Sequence, residues 1–175
     1  NVTVDSNIVI AVNSLSLGFQ LDGRDINAWR TSSTLQNLAR EANFKIVRWF
    51  PQRLQDPCTG WNPPRWDWSL TDNLVNKILA KGAEPMPVLG FCGSSGFSSP
   101  LNVPKNPTDF ATYCAEWARH YPNIKYYEVI NEPHHGFSMG AFTATEFAEF
   151  YNTAVAAMKT ENPNIMVGND NTMVT

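Results

Sequence analysis

The strongest constraint on this chain is a strict alternation of strand-like and helix-like segments, recurring about every 40 residues from Lys45 onward. Short apolar runs at residues 15–20, 45–50, 84–90, 125–130 and 164–168 read as strands. Helical spacing separates them. Leu35, Leu38, Ala39 and Ala42 follow Ser and Thr residues suited to capping. Leu74, Val75, Ile78 and Leu79 end at Lys81-Gly82, a helix stop. Asn106-Pro107 opens a helix whose stripe is Phe110, Tyr113, Cys114, Trp117 and Tyr121. Thr143 and Glu146 form a capping-box pair ahead of Phe147, Phe150, Tyr151, Ala154 and Met158.

The strands are almost continuously apolar, which predicts an α/β protein with a parallel sheet covered by helices. Two architectures fit. A doubly wound sheet of five strands would be complete at 175 residues. A (β/α)8 TIM barrel takes ~250 residues, so this chain would hold the first five strands and lack the remainder. Doubly wound nucleotide-binding folds carry a Gly-rich first βα turn, and Gly18-Phe19-Gln20-Leu21-Asp22-Gly23 has no such fingerprint. The barrel is the expectation, with residues 1–175 as the N-terminal part of one domain.

Composition narrows the partners. With 43% hydrophobic and 17% charged residues the chain reads as globular, and a net charge of -3 gives no electrostatic case for nucleic acid or an anionic membrane. No apolar run approaches the ~20 residues that span a bilayer. The chain starts at Asn1 without an initiator Met or signal-peptide core, so it reads as processed or excerpted. Cys114 falls on an apolar helix face and reads as a buried thiol. Cys58 and Cys92 fall in loops that a barrel sets side by side, a candidate disulfide. With the Asn1-Val2-Thr3 sequon, this points to a secreted protein.

In any parallel architecture, functional side chains gather where strands end. Those ends carry Arg48-Trp49, Gly90-Phe91, Asn131-Glu132 and Asn169-Asp170-Asn171. Long loops nearby bring Trp61, Trp66, Trp68 and Phe97. Flat aromatic faces with amide, guanidinium and carboxyl groups suit sugars, and no phosphate cradle is present.

Ile130-Asn131-Glu132-Pro133 resembles the strand-4 motif of the clan of retaining glycoside hydrolases built on (β/α)8 barrels. Trp66-Asp67-Trp68-Ser69 and Pro85-Met86-Pro87-Val88-Leu89-Gly90-Phe91 are similar to the family of β-xylosidases and α-iduronidases. The resemblance implies a hydrolase of oligosaccharides or polysaccharides that needs no cofactor. It makes Glu132 the general acid/base. Asn131 would bond the sugar 2-hydroxyl, and Arg48 would lie beside the nucleophile and keep it ionised. That nucleophile is a Glu on strand 7, for which no residue here qualifies. Glu128 has the parity of Glu132 but sits about 13 Å deeper, at ~3.3 Å per residue. The missing strands are expected as a remaining segment or second chain. The alternative is a carbohydrate-binding half-barrel without catalysis.

Other readings stay open beside these. Arg48 would equally neutralise a buried acid, and Asn131 would equally cap a turn. His134-His135 would contact substrate or simply pack; as metal ligands with Cys92 or His120 they lack the usual spacing. Trp49 and Phe91 would line the substrate floor or belong to the core. Of Trp66 and Trp68, one is expected at the mouth and the other on a helix.

Overall fold

The computed structural model describes residues 18–90, 106–133 and 142–169. Its elements, in chain order, are β1 (Gly18–Leu21), α1 (Arg24–Thr31), α2 (Ser33–Glu41), β2 (Ile46–Trp49), α3 (Pro51–Leu54), β3 (Cys58–Gly60) and β4 (Arg65–Trp66). These are followed by α4 (Ser69–Ala80), β5 (Glu84–Gly90), α5 (Pro107–His120), β6 (Tyr126–Ile130), α6 (Ala144–Glu161) and β7 (Met166–Gly168).

Five strands form one parallel sheet in the order β1-β2-β5-β6-β7. Spatial order therefore equals chain order, and every crossover steps the same way. A doubly wound sheet reverses direction at a switch point; this one does not. The sheet is consistent with part of a (β/α)8 barrel. Between β2 and α4, β3 and β4 pair as a small antiparallel ribbon. Among the described residues β1 and β7 are each paired along one edge only.

The helix ends follow their local chemistry. Asn106 accepts a hydrogen bond from the Asp109 N–H at 2.8 Å, with Pro107 at the first helical position of α5. Thr143 and Glu146 complete a reciprocal capping box on α6. At the end of α4, Gly82 has φ 75°, its N–H reaches Leu79 O at 2.9 Å, and the Ala83 N–H reaches Ile78 O at 3.3 Å. That pair of bonds is a Schellman motif, which glycine enters without a Cβ penalty. Asn43, at φ 59°, closes α2 in the same way.

Helix α1 was not anticipated. Its apolar residues that reach the core are only Ile26 and Trp29, too few to reveal a period against a polar background. The expected inward stripe of α2 also differs, because Leu35 and Leu38 are exposed and Gln36 is buried instead. Gln36 Nε2 donates to Trp29 O at 2.9 Å and Arg30 O at 3.1 Å, satisfying carbonyls at the end of α1. Two abutting helices thus replace the single one suggested by spacing.

Strand alternation divides the sheet into two faces. Val47, Trp49, Leu89, Tyr127 and Val129 join the hydrophobic core with Phe110, Tyr113, Cys114 and Trp117 of α5. Arg48, Gln20 and Glu128 have the opposite parity and face a cavity. Cys114 is fully buried, and that burial pushes its thiol pKa well up. Cys58 is buried too, but Cys92 lies outside the described residues, so their pairing remains an expectation.

Candidate active site

A cavity of about 420 Å³ opens at the C-terminal ends of β1, β2 and β6, lined by Gln20, Asp22, Arg48, Phe50, Glu128, Asn131 and Glu132. This is the end where parallel α/β architectures place their chemistry. Arg48 is its electrostatic centre. Nε donates to Glu128 Oε2 and Nη2 to Glu128 Oε1, both at 2.7 Å, a bidentate ion pair. Nη2 also donates to Asn131 Oδ1 at 2.7 Å, and Nη1 donates to Gln20 Oε1. The guanidinium carbon lies 4.8 Å from the centre of the Phe50 ring.

Glu132 is placed by the backbone around it. Its φ of 44° is in the left-handed region, which costs a non-glycine residue about 1–3 kcal/mol. Both neighbours hold it there. The Asn131 N–H bonds Gly90 O at 2.9 Å, extending the β5–β6 ladder by one step. Pro133 is buried, and its carbonyl accepts from the Phe142 N–H at 3.0 Å. The Ile130 N–H is taken by Asn169 Oδ1 at 3.2 Å, tying β6 to the residue after β7. The strand therefore ends in a sharp, doubly pinned bend that leaves Glu132 half-buried on the cavity wall.

The structure brings together Arg48, Asn131 and Glu132, three of the residues singled out from sequence. It does not bring Trp49 with them. Trp49 is fully buried in the core, because a residue adjacent to an inward-facing Arg48 on a strand must point to the other face. Trp66 is likewise not on the cavity wall. It stacks on Trp68 with centroids 5.1 Å apart, and on Tyr113 of α5 at 5.7 Å. Trp68 lies against His120 at 4.1 Å and Trp117 at 5.0 Å, so both tryptophans cover the helix layer. His120 also bonds Asp72 Oδ1 at 2.9 Å, with Tyr121 donating to the same oxygen at 2.7 Å. Burial, then that carboxylate, drives the Tyr121 pKa far above its usual value. Phe91, His134 and His135 lie outside the described residues.

Glu128 reaches the same cavity as Glu132 and is the principal partner of Arg48. Sequence reasoning left it below the site. Gln20, Asp22 and Phe50 were missed, although their positions at or just beyond the ends of β1 and β2 were the available signal. Asp22 sits on the rim, 3.5 Å from Arg53 Nε, in a half-exposed pair worth little to stability. No cluster of three or more metal-ligating side chains occurs among the described residues, and no described helix is long and apolar enough to cross a membrane.

No protein-family model and no curated sequence matches the chain. Solved structures do share its fold. A GH39 β-xylosidase from Caulobacter crescentus superposes with a TM-score of 0.60 at 17% identity, covering 89% of this chain and 39% of the xylosidase. The exo-β-1,4-mannosidase Op5Man5 from Opitutaceae bacterium strain TAV5 gives 0.63 at 18% identity, over 95% of this chain and 34% of the other. Cel5A of Thermotoga maritima, solved with cellobiose, gives 0.66 at 16% identity, over 89% and 51%. The likeness is one of fold: the chain shares the parallel α/β sheet of these enzymes. The chain spans between about a third and a half of the length of these proteins.

Proposed function

We propose that the chain is the acid/base-bearing, N-terminal part of a (β/α)8 glycoside hydrolase that cleaves O-glycosidic bonds with retention. The observation that carries this reading is Glu132, held by a left-handed bend at the end of β6 and facing a cavity beside Asn131. A carboxyl held in this way is placed to protonate a leaving glycosidic oxygen and then to deprotonate water. Asn131 contributes an amide for a sugar hydroxyl.

A retaining reaction also needs a carboxylate about 5–5.5 Å from the acid/base. Glu128 is committed to Arg48 in a bidentate pair, so it is a poor nucleophile, and that role is assigned to no residue of this chain. A Glu from a seventh strand is the expected source. The remaining strands would complete one catalytic domain along the edges of β1 and β7 that are unpaired among the described residues. The substrate is a glycan or glycoside, and the protein is secreted.

The test is Glu132→Gln in the intact protein. Turnover of glycosides with poor leaving groups is expected to fall by roughly 10²–10⁴-fold, the usual worth of general acid–base catalysis. Azide is expected to restore part of it with an activated substrate. Unchanged turnover would remove the assignment. Sugar binding without turnover, equal before and after the substitution, would show a carbohydrate-binding protein instead.

A further inference from the structure

We propose that the cavity admits neutral glycosides and excludes uronic acids, and that Glu128 sets this choice by filling the arginine face an anionic sugar would need. That sugars are the ligand rests on the glycosidase reading; the charge of the cavity does not. A uronic acid carries a carboxylate on its ring, and the two-pronged fork of an arginine matches such a planar anion. Among the described residues Arg48 is the one cation lining the cavity. Its fork is already taken. Glu128 Oε2 accepts from Nε and Oε1 from Nη2, both at 2.7 Å, so an internal carboxylate holds the position an external one would seek. Asn131 Oδ1 and Gln20 Oε1 accept from two more of the five N–H groups. The paired side chains are only 17% and 9% exposed, which strengthens their attraction against a solvated competitor.

The other lining groups act in the same direction. Asp22, Glu128 and Glu132 set three carboxyl groups against one guanidinium. The lining stays net negative even when Glu132 holds the proton it would donate. Arg53 meets Asp22 at 3.5 Å without lining the cavity, and both side chains are about half exposed, so water screens that pair. The nucleophile of a retaining site adds one more negative charge. A neutral sugar escapes this cost, whereas a uronate gives up hydration in a field of its own sign.

The test uses the intact protein. Gln20 is exposed on the cavity wall, so Gln20→Cys places a reporter thiol there. Its rates with the cationic trimethylammonium-ethyl and the anionic sulfonato-ethyl methanethiosulfonates are compared, after subtraction of the parent's own cysteines. The cationic reagent should gain at least about tenfold over its advantage at free cysteine, the low end of what a one-signed cleft does to ions. In about 1 M NaCl, where the screening length is about 3 Å, most of that bias should vanish. A ratio equal to that of free cysteine overturns the proposal. Adding Glu128→Gln, which removes the internal anion with almost no change of shape, should cut the bias at least about threefold. An unchanged bias overturns the role of Glu128.

Kinetics supply a second measure. 4-Nitrophenyl β-D-glucuronide and its methyl ester are close in shape and differ in charge. In the parent, kcat/KM for the acid should lie about 10²-fold below the ester, and in Glu128→Gln within about tenfold. Equal values in the parent overturn the proposal. Where Glu128→Gln fails to fold, the parent still tests the filled fork by ¹⁵N NMR. The Arg48 Nε–H signal, identified by its loss in Arg48→Lys, should not move when glucuronate is added, and a shift would show the fork open to anions. Failure of the Glu132→Gln test with a cation-biased thiol would sink the glycosidase reading alone. A normal Glu132→Gln loss with an unbiased thiol would sink only the exclusion of anions.

Discussion

The Arg48–Glu128 pair should behave as a buried ion pair in a mutational cycle. The two side chains are 17% and 9% exposed and share two bonds of 2.7 Å. Removing one partner of such a pair typically costs about 3–5 kcal/mol, because the other charge is left buried. In Glu128→Leu the guanidinium keeps only neutral acceptors, Asn131 and Gln20, which offset part of that loss. We therefore expect about 3 kcal/mol, or a fall in Tm of roughly 6–12 °C at this chain length. Arg48→Met/Glu128→Leu removes both charges and fills the space with apolar atoms, so it should return to within about 1 kcal/mol of the parent. The assay is thermal and urea unfolding of the parent, both single variants and the double variant. A loss under about 1 kcal/mol in Glu128→Leu would refute the reasoning, as would a double variant that falls by the sum of the singles.

Two further outcomes test local structure. Gly82→Ala should cost about 1 kcal/mol by urea unfolding, since φ 75° disfavours an L side chain although no atom lies within 4 Å of the new Cβ; Gly82→Asn should lose less. Thr143→Ala should cost about 1 kcal/mol by removing the α6 cap. The Thr143 hydroxyl and backbone N–H hold the Glu146 pKa below its ordinary 4.5. Its contribution is present above that value and is lost as pH falls through the lowered one, so the protection factors of amides in the first turn of α6, corrected for the intrinsic pH dependence of exchange, should fall in acid. Protection factors that fall as much with acid in Glu146→Gln would contradict this.

Much of the fold was legible because its signals are local. Asn106-Pro107, the Thr143/Glu146 box and Gly82 each satisfy backbone groups within a few residues, and all three fall where spacing placed them. Strand order was not legible. It depends on which way each crossover turns, and only the observed β1-β2-β5-β6-β7 order excludes the doubly wound sheet. In the site, Asn131 and Glu132 were readable from a strand ending in a proline. For Trp49, open between substrate floor and core, strand alternation decides for the core once Arg48 faces the cavity. Trp66 and Trp68 needed tertiary information, because their stacking partners Tyr113, Trp117 and His120 lie about 50 residues away along the chain. The Glu128–Arg48 pair spans 80 positions and joins β2 to β6, neighbours only through β5.

The central claim, that Glu132 transfers the proton to the leaving group, is tested most directly by leaving-group dependence. Aryl glycosides ranging from strongly activated to unactivated phenols should be compared in the intact protein and in Glu132→Gln. The account predicts that kcat/KM of the variant falls steeply as the phenol becomes a poorer leaving group, while the parent varies little. Parallel profiles for the two proteins would contradict it, because a residue that does not protonate the leaving oxygen has no reason to distinguish good leaving groups from poor ones.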